Sequence, residues 1–588
     1  MRLASSDGKV KMSNHYNLPL RKKRLYLSEE FNPLDKNDVK QLIASLSSEI
    51  PTDFKSAAYW YGLFHEASCA ISEAHTKLEL KLSFDFHDKE AEKELNVFEE
   101  HILSQLLSVR SELMDIYSNS PWRNAMHVYD NDRVIKDLSV RRSYTNNEIS
   151  SLQIEENQLI REYKKFAHGA KTLFEGRSTL VSAVIGKLND NDLYIRKSAF
   201  LSYWNFVKTN EEKYQEIFES LLINRKKQAE CVKAHDYIDV AFAELGRIDY
   251  GKNECAEFRN SILHEVIPLV KSLSVLQKES LKSDCISPWD ISIWPQLMPE
   301  KSPANGNLNS LMAAMQNITS KIHPAFGKLF HEMQKNNLID VFPRQGKAPG
   351  AFCVTFQESG YPYVFANFGG SFRDAMTFIH EFGHAIHGYA VSNIGNVLLR
   401  HPGFEYCEVA SMGLELLASP FYSDLWVNKK DSQKALSYQL FQMLNFWPFM
   451  AMMDEWQHRV YSLKEIPSAE QRNKIWSEVS KKYRPHVNWD GYEDFEELGW
   501  MSRPHIFTSP FYYIDYGIAQ SGALQLWKKS KENYSIAVQN YISGLSLGAQ
   551  KSLQGLFEAT GIKFDFSRKI MKELSHDIEK EIMKICEQ

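Results

Sequence analysis

The amino-acid sequence predicts a mostly α-helical protein, and three observations carry that reading. Apolar residues recur at helical spacing over long stretches near both ends of the chain. Gly and Pro contribute 27 and 20 of 588 residues, below the ~12% they make up in average proteins, which disfavours turn-dense all-β folds. A single short stretch stands out as a strand candidate. With 43% hydrophobic and 24% charged residues, the chain has the balance of a globular protein with a sizeable core.

Taken in chain order, residues 1–24 hold basic residues but no apolar run with a small-residue cleavage site, so no export signal is expected. The cluster Arg21-Lys22-Lys23-Arg24 reads as the solvated start of the first helical region, and Met12 is a second candidate initiator. Leu95, Phe98, Ile102, Leu106, Val109, Leu113 and Ile116 are spaced by three or four residues, one buried stripe of a long helix. Five breakers, Pro288, Pro295, Pro299, Pro303 and Gly306, make residues 286–309 a long loop. A second break runs from Pro343 to Gly350; Lys347 follows Gly346 there without the frame of a phosphate-binding loop. Tyr361–Phe368, closed by Gly369-Gly370, is the strand candidate, and Pro362 places it at a sheet edge where it could pair with an extended peptide. At the far end Ile570, Leu574, Ile578, Ile582 and Ile585 form another helical stripe with Ser567 as N-cap.

Composition also excludes partners. The net charge of −5 offers no basic field to nucleic acid or an anionic membrane. No stretch approaches the ~18–20 apolar residues of a membrane span. The seven cysteines are odd in number and scattered without Cys-x-x-Cys pairs, the pattern of reduced thiols, so a cytoplasmic protein is expected.

The chemistry is concentrated at His380-Glu381-Phe382-Gly383-His384. Histidines at i and i+4 share one helix face and can grip a zinc ion, while the Glu between them can take a proton from a water that the metal has made acidic. Ser371 and Asp374 form a capping box at the start of this helix. Gly383 costs about 1 kcal/mol against Ala inside a helix, which points to close approach by another element. Zinc needs a third protein ligand. His387 and Ala390 do not continue the extended three-histidine motif, and His387 sits too far along the helix to join the other two. A carboxylate from a following helix is expected, and Glu405, Glu408 and Glu415 are all candidates; spacing does not choose among them.

His380–Ala385, followed 24 residues after His384 by Glu408-Val409-Ala410-Ser411-Met412, resembles the thimet oligopeptidase family of zinc metallopeptidases, in its oligoendopeptidase F branch. Gly350-Ala351-Phe352-Cys353 with Pro362–Phe368 is similar to that branch's lead-in. Pro504-His505-Ile506 with Pro510–Tyr516 is similar to its C-terminal His/Tyr motif. Strong matches cover roughly residues 340–530, with weaker ones at Asp249-Tyr250 and Trp289-Asp290.

The resemblance implies His380, His384 and Glu408 as ligands of one zinc per chain, Glu415 behind them, and Glu381 as the proton acceptor. It implies His505, Tyr513 and Tyr516 as donors to the oxyanion. Ser509 and Pro510 stand where the family's mammalian members carry a further tyrosine, so Tyr512 and Tyr513 are alternatives for assisting Tyr516. It also implies a large two-lobed helical fold with a deep substrate channel and a small β-sheet near the zinc. Residues 1–180 would form an N-terminal helical domain and 181–588 a catalytic one. The activity implied is endopeptidase cleavage of short unstructured peptides by a monomer or weak homo-oligomer. The alternatives are an exopeptidase of the same architecture and a catalytically silent peptide-binding protein.

Overall fold

The computed structural model describes residues 16–19, 21, 23–122, 132–144 and 146–587; Met12 and Lys22 lie outside them. Contacts divide the chain into two units, each built from two stretches: Met1–Asp130 with Pro303–Arg400, and Asn131–Ser302 with His401–Gln588.

The first unit holds the stripe that begins at Leu95. It lies on a helical run of Lys89–Phe98, a five-residue π turn Glu99–Leu103, and Ser104–Asn119. Phe98, Ile102 and Leu113 are buried as their spacing predicts, but Tyr117 rather than Ile116 takes the last inner position. The Tyr117 carbonyl accepts a hydrogen bond from Tyr61 Oη at 2.6 Å, tying this run to the long helix Phe54–Phe84. The basic cluster differs from expectation. It precedes the first helix, Lys36–Ser48, and Arg24 is 7% exposed on a 2.6 Å ion pair with Glu358.

Three strands complete this unit: β1 (Ile339–Asp340), β2 (Phe352–Thr355) and β3 (Pro362–Phe365). Their order is β1-β3-β2, with β3 parallel to β1 and antiparallel to β2. The strand expected at an edge is therefore central. Pro362 is its first residue and pairs with Thr355 at the end of the ladder, a position where a missing N–H removes little from the sheet. All four β3 residues are buried, and the sheet's two edges belong to β1 and β2. The loop before β2 is tied to the sheet by Lys347, whose buried ammonium donates to the Ala366 carbonyl at 2.6 Å and to Asp340 Oδ1 at 2.9 Å.

Two helices that follow one another in sequence fall in different units: α1 (Phe372–Val391) in the first and α2 (Phe404–Leu417) in the second. The second unit also contains α3 (Lys429–Tyr461) and α4 (Tyr513–Glu532). Helices α2 and α4 pack closely because Gly522 has no side chain; a Cβ there would come within 3.0 Å of Val409 Cγ2. Trp294, Trp447, Trp456 and Trp500 are fully buried in this unit's core. The last helix, Arg568–Cys586, buries Leu574, Ile578, Ile582 and Ile585 as its stripe predicts, with Met571 in the inner position beside Ile570. A short antiparallel hairpin pairs Lys171–Phe174 with Arg177–Leu180. The long loop expected at residues 286–309 ends at Asn307, which caps a helix from Leu308 to Ile322, and it is interrupted by a bridge from Ile286 to Val487 and a turn at Pro303–Gly306. Among the described residues no helix is long and apolar enough to cross a membrane.

Candidate metal and catalytic site

The two histidines are placed by α1 and the sheet beneath it. Ser371 caps the helix: its Oγ accepts the Asp374 N–H at 3.2 Å, and Asp374 Oδ2 accepts the Ser371 N–H at 3.0 Å, an arrangement worth about 1 kcal/mol to a helix start. Ala375, Ile379, Phe382, Ala385 and Ile386 anchor the apolar face, with the Phe382 ring edge-on to Phe330 at 5.2 Å. One helical turn separates His380 from His384, and their ring centroids lie 4.9 Å apart at 83°. Glu381 is buried beside them. The close approach to the sheet occurs at Gly388, where a Cβ would sit 2.1 Å from Thr355 Oγ1 of β2. Burial pushes the Cys353 thiol of β2 well up from its ordinary pKa, and the negative charge of Glu381 adds to the shift.

The three carboxylates of α2 have different partners. Glu405 Oε1 accepts from Tyr250 Oη at 2.5 Å and lies 3.8 Å from Arg247 Nε. Glu415 Oε2 accepts from Gln439 Nε2 at 3.0 Å. Glu408, buried between them in sequence, accepts from Ser411 Oγ at 2.9 Å and from Tyr512 Oη at 3.3 Å. Helical geometry explains the split: Glu408 and Glu415, seven residues apart, share a face, while Glu405 is turned about 60° from Glu408.

The Tyr512 hydroxyl links Glu408 to the aromatic cluster of the C-terminal motif. Tyr512 meets Tyr516 edge-on at 5.0 Å and stacks on His505 at 5.9 Å. Tyr516 lies 6.3 Å from the His505 ring. Tyr513 also touches His505, at 4.9 Å, but packs against Phe446 and Phe449 as well. Burial lowers the His505 pKa, so its imidazole is neutral near pH 7. Burial, then the Glu408 charge, pushes the Tyr512 and Tyr516 phenols up, keeping both protonated as donors.

The sequence names every residue of this cluster, with Tyr512 and Tyr513 as alternatives. It does not single out Arg247, Gln457 or the role of Tyr250, whose partners lie more than 50 residues away in sequence. No local pattern announces them.

A second group of donors, Cys255, Asp454 and His458, brings ligand atoms within 4.8 Å of one another. Arg259 already forms an ion pair with Asp454 there, so the carboxylate charge that would attract a cation is neutralised.

Relatives place these residues in context. Over 392 residues the chain is 26% identical to an oligoendopeptidase F homolog of Borreliella burgdorferi, a match covering 64% of this chain and 62% of that protein. Over 285 residues it is 24% identical to oligopeptidase PepF of Bacillus subtilis, covering 44% and 40%. The matched stretches therefore span less than two thirds of either relative. In fold it is similar to the structure of PZ peptidase A with an inhibitor, at a TM-score of 0.87 and 24% identity over 95% of this chain and 98% of that one. The profile of peptidase family M3 matches residues 188–576, which hold His380, Glu381, His384, Glu408, His505 and the three tyrosines, and the chain belongs to that family.

Proposed function

We propose that this protein is a zinc-dependent oligoendopeptidase that hydrolyses internal bonds of short unstructured peptides. The observation that carries the reading is the setting of Glu408, a buried carboxylate bonded to Tyr512 and grouped with His505 and Tyr516, in a chain that also carries His-Glu-x-x-His on α1. The donor set of His380, His384 and Glu408 is two imidazoles and one carboxylate, which fits a catalytic zinc with an open fourth position. When bound, one zinc per chain supplies Lewis acidity that acidifies a water and polarises a carbonyl.

The protein's own groups do the rest. The Glu381 carboxylate accepts a proton from the attacking water and returns it to the leaving amine nitrogen. His505 and Tyr516 donate hydrogen bonds to the carbonyl oxygen as negative charge grows on it. Of the two candidate assistants, Tyr512 is favoured by its bond to Glu408; Tyr513 keeps a packing role against Phe446 and Phe449. An edge strand such as β2, rather than the central β3, would align an extended peptide.

Residues 181–588 would then be the catalytic domain, which the family match from residue 188 supports, with 1–180 as an N-terminal helical domain. Seven unpaired thiols support a reducing, cytoplasmic setting. Peptides are the partners, nucleic acid and membranes are not, and the enzyme works as a monomer or weak homo-oligomer.

The test pairs metal analysis with digestion of a mixed peptide pool. One zinc per chain and mass-mapped cuts at internal bonds are the expected result. Products trimmed only from peptide ends would make it an exopeptidase, peptide binding without any cut would make it a silent binder, and full activity of metal-free protein would overturn the reading.

A further inference from the structure

Phe511, immediately before Tyr512, holds a left-handed backbone with φ of +65°. A bulky residue in that region is strained by roughly 1–3 kcal/mol and persists only where its surroundings over-determine it. Here they do. The Phe511 N–H donates to Gln457 Oε1 at 2.8 Å, and its carbonyl accepts from Arg247 Nη2 at 2.9 Å. The fully buried ring meets Phe242, His458 and Tyr461 at 5.3 to 5.9 Å.

Arg247 does not act alone. The same Nη2 donates to Asp515 Oδ1 at 2.5 Å, four residues along on α4. Its guanidinium lies over the rings of Phe242 and Tyr250, at 4.3 and 5.1 Å. Tyr250 Oη then reaches both Asp515 Oδ1, at 3.0 Å, and Glu405 Oε1, at 2.5 Å. Arg247, Tyr250, Asp515 and Glu405 are all at least nine-tenths buried. The cluster therefore grips α2 one turn before Glu408 and grips α4 at its first turn, while also pinning the strained residue that immediately precedes Tyr512.

We propose that Arg247 and Tyr250 are positioning residues of the reaction: through Phe511, Asp515 and Glu405 they hold the Tyr512 hydroxyl on the Glu408 carboxylate. This rests on the peptidase reading above. Neither residue hydrogen-bonds Glu408 or a donor tyrosine directly among the described contacts. Their effect passes through the geometry of a pair whose Tyr512–Glu408 bond, at 3.3 Å, is at the long end of a hydrogen bond and is sensitive to small shifts.

A double-mutant cycle tests this on the zinc-loaded protein, with wild type, Tyr250→Phe, Tyr512→Phe and the double variant. Each is read twice: by kcat and KM on a fluorogenic peptide, and by the rate at which a chelator strips zinc. Partners that orient a metal ligand are typically worth 10–100-fold, so Tyr250→Phe should lower kcat by about 10-fold with KM moved less than twofold. Tyr512→Phe should cost at least as much, and the double variant should be no worse than Tyr512→Phe, because both changes break one arrangement. Zinc loss should show the same non-additivity. Losses that multiply in the double variant, or wild-type values in Tyr250→Phe, overturn the proposal. If wild type cuts no peptide, the peptidase reading falls while the zinc-loss cycle still decides this one. Gln457→Ala, which removes the acceptor of the Phe511 N–H, replaces Tyr250→Phe if that variant does not fold.

Discussion

The residues proposed for catalysis are held in opposite ways in the two units. In the first unit His380, Glu381 and His384 occupy five consecutive residues of α1, so backbone hydrogen bonds alone fix their spacing, and the capping box and the sheet fix the helix. In the second, Glu408, His505, Tyr512 and Tyr516 are joined by side-chain contacts that span about a hundred residues of sequence. Behind them lies a buried polar cluster, Arg247, Tyr250, Glu405 and Asp515. A helix tolerates substitutions that leave its ladder intact. A buried polar cluster does not, since removing one member strands the others away from water.

The largest effect should come from the local set. Glu381→Gln removes the proton acceptor without disturbing α1, so kcat should fall by about 10³-fold or more while zinc content, by metal analysis, stays at the wild-type level. Loss of zinc in that variant would show that the helix is less autonomous than its hydrogen bonding implies.

Next come the carboxylates of α2, where the contrast is between ligand and scaffold. Glu408→Ala should weaken zinc retention with a modest change in thermal stability. Glu405→Ala should weaken zinc retention less but cost about 3 kcal/mol of stability, because Tyr250 and Arg247 lose a buried partner. Denaturant melts and metal analysis on both variants decide it; if Glu405→Ala empties the site and Glu408→Ala does not, the assignment is inverted.

Among the tyrosines, Tyr516→Phe should lower kcat by about 10²-fold with little change in KM, the mark of a donor that acts on the transition state. Tyr513→Phe, with its ring packed on Phe446 and Phe449, should stay within about threefold of wild type. Steady-state kinetics that reverse the order of these two would return Tyr513 to the reaction.

The last effect is graded and touches both units. Burial lowers His65 of the first unit to a pKa of about 3, and His458 and His486 of the second to about 4. In the unfolded chain these groups titrate near ~6.5, so the unfolded state binds more protons between the two values. Stability is therefore whole above about pH 6.5 and is lost as pH falls toward 4, at up to about 1.4 kcal/mol per pH unit for each histidine. Thermal melts from pH 7 to 4 should show the decline, and His486→Gln should make it shallower. A flat profile would mean that these imidazoles reach water in the native state.

How much was legible follows the same division. Helical periodicity and the capping box are properties of neighbouring residues, so the stripes, α1 and the His380–Glu381–His384 set could be read directly. The misplaced strand has a non-local cause. Pro362 suggests an edge strand, yet β1 and β2, supplied by residues before it, enclose β3. Tyr512 and Tyr513 are equivalent as sequence neighbours, and the Tyr512–Glu408 bond spans 104 residues of sequence.

The sequence by itself determined the helical class, the two imidazoles on one helix face and the short roster of carboxylates and phenols that could join them. Tertiary structure gave Glu405, Glu408 and Glu415 their different partners, brought Tyr512 to Glu408, and joined Tyr250 to Glu405 and Arg247 to Phe511 across 155 and 264 residues of sequence. The physical reason is range. A helix is fixed by hydrogen bonds four residues long, whereas a buried polar group takes whichever partner the packed chain brings within about 3 Å of it.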